Sequence, residues 1–175
     1  MIVLSGLEER LMNPVKLSEL IEAVEFDSDE PVAKVDLQDG RVVTVNRSLL
    51  NHLEEGDEEA LSDLPDLQQG EVEIARAMVA DSGERFVAAP DKFDFHEYGQ
   101  MERFIGTVEN AEAAEQLWRA IKGKGAFRYF KDTASRLGLL EQWYRYRDAA
   151  MKEFVVAWAE VKNVPIEDDV KDRKE

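Results

Sequence analysis

One long apolar stripe in the last part of the chain constrains the fold more than any other feature. Its members recur at helical spacing: Trp143, Ala150, Met151, Phe154, Val155, Trp158 and Val161. Because a period near 3.6 residues places these side chains on one helical face, we predict a helix over residues 140–162. Such a face has to be covered by other apolar elements, so the chain is expected to fold around it.

The same period predicts shorter helices upstream. Their apolar sets lie within residues 17–24, 49–53, 74–78, 98–108, 114–121 and 127–137. Asp63 before Pro65 is typical of a helix start, because proline fits the first turn. Asp94 with Glu97 has the spacing of a capping box, and Asn110 is expected to cap the next helix. The second half of the chain is therefore predicted to be helical.

A hairpin is predicted near the N-terminus. Asp39-Gly40 separates two valine-rich runs at residues 32–37 and 42–45, and this pair favours a hairpin turn because both residues tolerate positive φ. An isolated hairpin is marginal in water, so it must pack on helices or pair with another strand. A short extended run is predicted at Phe86–Pro90.

Together these patterns predict a predominantly helical α+β fold. An N-terminal helix and β-hairpin region (residues 1–62) is expected to pack on a C-terminal multi-helix body (residues 63–165), within one compact unit. A charged tail at residues 166–175 is expected to be disordered.

Composition excludes several classes of function. The 175 residues carry a net charge of −16, which opposes general binding of nucleic acid or anionic membranes. There is no cysteine and there are two histidines, so we predict no metal site and no cofactor. No signal peptide or membrane-spanning stretch is visible, so a cytoplasmic protein is expected.

The negative charge is unevenly distributed. Between Arg119 and Arg147 there are eight basic and two acidic residues, so this segment carries +6 and the rest of the chain −22. Within it, Gly123-Lys124-Gly125 precedes a predicted helix that contains Arg128 and Lys131. Free backbone N–H groups at a helix start, flanked by cations, can bind an anion. Alternatively, the glycines form a simple turn and the cations pair with the chain's own carboxylates.

Arg147 is the second unusual residue, because its position falls within the apolar stripe of the last helix. A buried guanidinium needs a carboxylate partner, and Asp132, Glu102 and Asp94 are the first candidates. Arg147 is then either a structural ion pair, an arginine whose aliphatic stem reaches outward, or an anion-binding residue in a pocket.

Known catalytic motifs are missing from the sequence. His96-Glu97 could begin a metalloprotease motif, but Gln100 stands where its second histidine is required. No serine has the G-x-S-x-G context, and the acidic clusters lack the spacing of a calcium loop. No catalytic residue is identified.

Two strings in the basic segment carry a resemblance to a known family. Residues 124–132 read KGAFRYFKD and residues 143–148 read WYRYRD. They are similar to the GKGAFRRFKD and WYxFRD strings of an uncharacterised bacterial family of the UPF series. Tyr129 departs from that pattern at a position where a second arginine is usual. The family has no established activity, so the resemblance implies relatives but no reaction.

The sequence supports three hypotheses of function. The leading one is a binding or regulatory protein with an anionic ligand or a protein partner, whose candidate site residues are Lys124, Arg128, Lys131, Asp132, Arg147 and Asp148. The second is a small hydrolase or transferase acting on a phosphorylated or nucleotide-like substrate, with Arg147 as anion clamp and Asp132 or Asp148 as base. The third is a structural subunit whose acidic face meets a basic protein. The oligomeric state is not predicted.

Overall fold

The computed structural model describes residues 12–26, 29–57, 59, 61 and 68–171. The described strands are β1 (Val15–Lys16), β2 (Pro31–Asp36), β3 (Arg41–Asn46), β4 (Phe86–Ala88) and β5 (Ile166–Glu167). The described helices are α1 (Leu17–Glu25), α2 (Arg47–Glu55), α3 (Gln69–Ala80), α4 (Lys92–Phe95), α5 (Glu97–Thr107), α6 (Ala111–Ala120), α7 (Ala126–Arg136) and α8 (Leu140–Lys162). The predominantly helical α+β fold predicted from the sequence is confirmed.

The long helix α8 covers the residues predicted for it and joins two of the hydrophobic cores. Trp143 near its start lies in a core with α5, α6 and α7, where its ring meets Phe104 and Phe130 edge to face. Met151 and Val155, further along, lie in a second core with α1 and β2. Successive turns of one apolar face therefore hold different parts of the chain together.

The hairpin forms as predicted, although its turn differs from the expectation. β2 pairs antiparallel with β3, and Asp36 faces Arg41 across a four-residue connection. In that connection Gly40 has a positive φ of 67°, whereas the φ of Asp39 is not positive. A Cβ at Gly40 would lie 2.7 Å from the Cβ of Asn13, so glycine is required there both for its φ and for space.

An isolated hairpin is marginally stable, and this one both pairs with a third strand and packs on helices. β4 pairs antiparallel with β2, so the extended run predicted at Phe86–Pro90 becomes the third strand of the sheet. Val43 and Val45 pack with α2 and α3 in a third core. The start that Asp63 and Pro65 predicted for α3 lies outside the described residues.

The capping box predicted at Asp94 and Glu97 is wrong. Asp91 caps the short helix α4 through the amide of Phe93, and the chain then turns at His96, which has φ of 54°. His96 is the N-cap of α5, where its Nδ1 accepts a hydrogen bond from the Gly99 amide at 3.1 Å. Glu97 is thereby left at the first turn of α5 with its carboxylate available for another partner.

The start of the segment predicted to be a disordered tail is ordered. β5 pairs in parallel with β1, and the Val15 amide donates to the Pro165 carbonyl at 2.9 Å. Asp169 accepts hydrogen bonds from the amide and hydroxyl of Ser18, at 2.9 and 2.6 Å. These contacts join residues 165–169 to β1 and α1, and we name them the terminal clasp. Residues 172–175 lie outside the described part.

Candidate functional site

The structure separates the six predicted site residues into three places. Lys124, Arg128, Lys131 and Asp132 lie exposed at the start of α7 and on its outer face. Arg147, on α8, faces a cleft between α1 and α5. Asp148 is exposed and lines a different groove, beside α1 and the chain near Val170.

The first of these places is the corner between α6 and α7. Gly123 and Gly125 take φ of 88° and 77°, so the chain can reverse direction in a short turn. Gly125 is the N-cap of α7 and supplies no side-chain acceptor, so the first-turn amides receive no side-chain cap. The Tyr98 hydroxyl donates to the Ile121 carbonyl at 3.2 Å and ties this turn to α5.

The cations at this corner are largely unpaired. Within the described part of the chain, no carboxylate lies within ion-pair distance of Lys122, Lys124 or Lys131. Arg128 and Asp132 approach to 3.8 Å, but both side chains are mostly exposed, and such pairs contribute little. The alternative is that these cations pair with the chain's own carboxylates. Among the described residues, the pairing found for these cations is of this weak, exposed kind.

Aromatic side chains are exposed at the same corner. Trp118, Phe127 and Tyr129 are 40%, 45% and 56% exposed. The prediction that Phe127 belongs to the buried stripe of α7 is wrong, because the buried residues of that helix are Ala126, Phe130, Thr133 and Ala134. We name the surface formed by Trp118, Lys122, Lys124, Phe127, Arg128, Tyr129 and Lys131 the basic corner.

Arg147 is held by two carboxylates, and neither is a partner predicted for it. Its Nε donates to Glu97 at 2.7 Å and its second terminal nitrogen donates to the other Glu97 oxygen at 3.4 Å. Its first terminal nitrogen donates to Glu25 at 2.7 Å. Asp132, Glu102 and Asp94 do not pair with it, because α7 turns Asp132 toward Arg128, and the end of α1 and start of α5 lie closer.

These contacts fix the charge of Arg147. Burial alone would lower its pKa, but the hydrogen bonds and negative charges of Glu97 and Glu25 outweigh burial and raise the pKa above its ordinary value. The guanidinium is therefore charged at every pH at which the protein is folded. The ion pairs also join α8 to α1 and α5, which are distant in sequence.

Arg147 lies at the edge of a cleft of about 500 Å³, which we name the Arg147 cleft. Its lining consists of Val24, Glu25, Lys92, Phe93, Phe95, His96, Glu97, Tyr98, Phe127, Arg147 and Met151. Phe95 is buried, and the Arg147 guanidinium lies 5.8 Å from the centre of its ring. Phe93 and Phe127 are exposed, so aromatic rings remain accessible at this cleft.

The enzyme hypothesis places Arg147 and an aspartate base in one pocket, and the described residues do not bring them together. Asp132 and Asp148 are both absent from the lining of the Arg147 cleft. In the same part of the chain, no group of three or more histidine, aspartate or glutamate side chains could hold a metal ion. No described helix is long and apolar enough to cross a membrane.

Sequence reasoning missed the two partners of Arg147 and the aromatic pair Phe93 and Phe95. Glu25 and Glu97 are 122 and 50 residues away from Arg147, and no local pattern connects them. The Phe93-Asp94-Phe95 string did carry a usable signal, since two aromatic residues beside a helix start indicate that one of them reaches the core. Phe95 is the buried one and Phe93 the exposed one.

Comparison with known proteins agrees with the resemblance found in the sequence. The model of an uncharacterised protein family, UPF0158, matches residues 12–171. A UPF0158 protein of Pseudomonas aeruginosa is 26% identical over 89 residues, which are 50% of this chain and 58% of that protein. The match thus spans little more than half the length of this relative. No solved structure matches the chain. Because the family model matches residues 12–171 of 175, the chain belongs to the uncharacterised family UPF0158.

Proposed function

We propose that the chain is a cytoplasmic binding or regulatory protein that holds an anionic partner at the basic corner. The observation that carries the proposal is the concentration, within residues 118–131, of exposed cations without a close carboxylate partner and of exposed aromatic rings. Lysine and arginine side chains attract an anion, and aromatic faces add contact area with a planar or apolar part of it.

Charge outside the basic corner supports a localised site. The segment from Arg119 to Arg147 carries +6, while the remaining residues carry −22. An extended polyanion that left this segment would meet a repulsive field, so the favourable region is short. This is why we propose a local anion site and not general binding of nucleic acid.

The amides at the start of α7 support the same site. They point away from the helix at its positive end, between Lys124 and Arg128. Gly125 brings no side chain of its own over them. The adjacent Tyr129 ring would lie 3.0 Å from a Cβ at Gly125, so replacing this glycine would shift the ring.

The test compares two variants that each remove three positive charges. In K124Q/R128Q/K131Q the basic corner is neutralised, whereas R41Q/R47Q/K162Q removes exposed cations on β3, on α2 and at the end of α8. Short-chain inorganic polyphosphate is the probe, and its binding is measured by calorimetry at low ionic strength. We expect the first variant to lose about tenfold or more in affinity and the second to lose much less, since only the first removes contacts.

Equal losses in the two variants would contradict the proposal, because net charge alone would then explain binding. Trp118 provides a second readout, since it is exposed whereas Trp143 is buried. Polyphosphate should change the tryptophan fluorescence of the wild-type chain, and W118F should remove most of that change. A change that persists in W118F would place the probe elsewhere.

A further inference from the structure

We propose that the Arg147 cleft binds an organic cation, meaning an aliphatic chain that carries an ammonium or guanidinium head. The proposal concerns a different ligand charge from the basic corner and does not depend on that proposed function. It rests on three properties of the cleft: accessible aromatic rings, a Glu25 carboxylate oxygen to which the described residues donate no hydrogen bond, and cations that the same rings already hold.

The aromatic rings are the first property. Phe93 is 72% exposed and Phe127 is 45% exposed, and both line the cleft together with Phe95 and Tyr98. Two exposed rings in one cleft, unlike a single exposed ring, form the kind of apolar surface that ligand-binding grooves present. A cation placed over an aromatic face is attracted by the negative face of the ring.

The charge around Arg147 is the second property. One guanidinium faces two carboxylates, Glu25 and Glu97, so these three groups carry −1 when ionised, and Lys92 brings the ionised side chains of the lining to zero. Glu97 uses both oxygens on Arg147, whereas Glu25 uses one. The other Glu25 oxygen accepts no hydrogen bond from the described residues, and its side chain is 45% exposed. It can therefore accept a hydrogen bond from an incoming ammonium or guanidinium group.

The third property is that the cleft already holds cations by this chemistry. Arg147 lies 5.8 Å from the ring centre of Phe95, and the Lys92 ammonium lies 5.5 Å from that of Phe93. An external cation would approach the same rings and would meet Lys92 at the rim. Lys92 is therefore expected to compete with the ligand.

An anion would meet the opposite conditions in this cleft. The charge of Arg147 is compensated by two carboxylates, and an anion would have to displace one of them. The whole chain, at −16, also attracts cations and repels anions at long range. Binding of a cation and binding of an anion should therefore respond in opposite ways to the same substitutions, and this difference makes the proposal testable.

The experiment measures binding of spermidine and of the peptide acetyl-Gly-Arg-Gly-amide to the full chain by calorimetry and NMR. The two probes separate a free polyamine from an arginine side chain as the source of the cation. F93A/F127A leaves the net charge unchanged and should weaken binding of at least one probe by about fivefold or more. Glu25→Gln should weaken it as well, and Lys92→Met should strengthen it.

Several results would overturn the proposal. Equal affinity of F93A/F127A and the wild-type chain would mean that the probes merely coat the acidic surface, and failure of both probes to bind would remove the site. Weaker binding of both probes in Lys92→Met would contradict the competition with Lys92 that a cation site in this cleft requires. F93A alone, at a highly exposed position, serves if the double variant does not fold. K124Q/R128Q/K131Q removes positive charges near Phe127 and should not weaken cation binding, so failure of one proposal does not imply failure of the other.

Discussion

Arg147 and Glu97 form a two-point ion pair between the middle of α8 and the first turn of α5, with Nε 2.7 Å and a terminal nitrogen 3.4 Å from the two carboxylate oxygens. His96 makes this pair possible. By capping α5 in a left-handed conformation, it starts the helix at Glu97 and turns that carboxylate toward α8.

A double-mutant cycle should separate the two partners of Arg147. We expect Arg147→Ala to lower the free energy of unfolding by about 2 kcal/mol, because a mostly buried ion-pair network loses its cation. Coupling to Glu97→Ala should be about 1 kcal/mol or more, and coupling to Glu25→Ala smaller, since Glu25 is more exposed and accepts one bond. Urea unfolding of the single and double variants measures both, and equal couplings would contradict this ranking.

Two glycines of α5 should respond in opposite ways to alanine. A Cβ at Gly99 would lie 2.6 Å from Nδ1 of His96, so Gly99→Ala should displace the cap and destabilise the protein by about 1 kcal/mol. Gly106 has no neighbouring atom within 4 Å, so Gly106→Ala should be neutral or stabilise by about 0.5 kcal/mol. Thermal unfolding compares them, and a harmless Gly99→Ala would disprove the role of His96 as cap.

Asp36 is a buried carboxylate at the end of β2, and we expect its substitution to destabilise the protein. Arg85 donates to both of its oxygens, at 2.9 and 2.7 Å, and the Gln38 amide donates at 3.0 Å. We expect Asp36→Asn to destabilise by about 2 kcal/mol, because the substitution removes the nearest charged partner of Arg85 and, of the described carboxylates, leaves only Asp39, at 3.9 Å, within ion-pair distance. Asp39→Asn is the matched control at a more exposed position and should change stability by less than about 0.5 kcal/mol. Similar losses in chemical denaturation of the two variants would refute this difference.

The terminal clasp should weaken in acid. The Ser18 hydroxyl and amide lower the pKa of Asp169, and beside the clasp the Lys152 ammonium, 2.8 Å from Asp168, lowers the pKa of that carboxyl. A carboxyl whose folded pKa is lowered stabilises the fold above its unfolded pKa, near 4, and this contribution is lost as pH falls through the folded value. Protection of the Val15 amide against hydrogen exchange should therefore fall below about pH 4.

Asp169→Asn should reduce that protection already at neutral pH, because a neutral amide accepts weaker hydrogen bonds from Ser18. Amides of the α5–α8 core, such as that of Phe130, serve as internal controls and should stay protected. If the Val15 amide is equally protected in the variant and the wild-type chain, the clasp does not hold the end of the chain.

Local patterns predicted most of the elements of this fold. The stripe of α8, the cap at Asn110 and the hairpin at Gly40 depend on neighbouring residues, and each was predictable. The predictions that failed concern contacts between segments that are distant in sequence. Ile166–Asp169 looked like a charged tail because its partners, Val15 and Ser18, lie at the other end of the chain.

The candidate site divides in the same way. Exposed cations beside a glycine turn could be predicted, because the buried face of α7 leaves Arg128 and Lys131 outside. The partners of Arg147 could not, because many carboxylates satisfy the charge requirement equally and only the packing of α1 and α5 selects Glu25 and Glu97. Phe127 also fits the period of the buried stripe but lies at its edge, beside the cleft.

The salt dependence of polyphosphate binding tests the central claim most directly. If the basic corner holds the anion, the logarithm of the wild-type affinity should fall linearly with the logarithm of the salt concentration. K124Q/R128Q/K131Q should reduce the slope of that line by about 2, because it loses three phosphate contacts and therefore releases fewer counterions on binding. R41Q/R47Q/K162Q should keep the wild-type slope. A slope that is unchanged in the first variant, or reduced equally in both, would contradict an anion site at the basic corner.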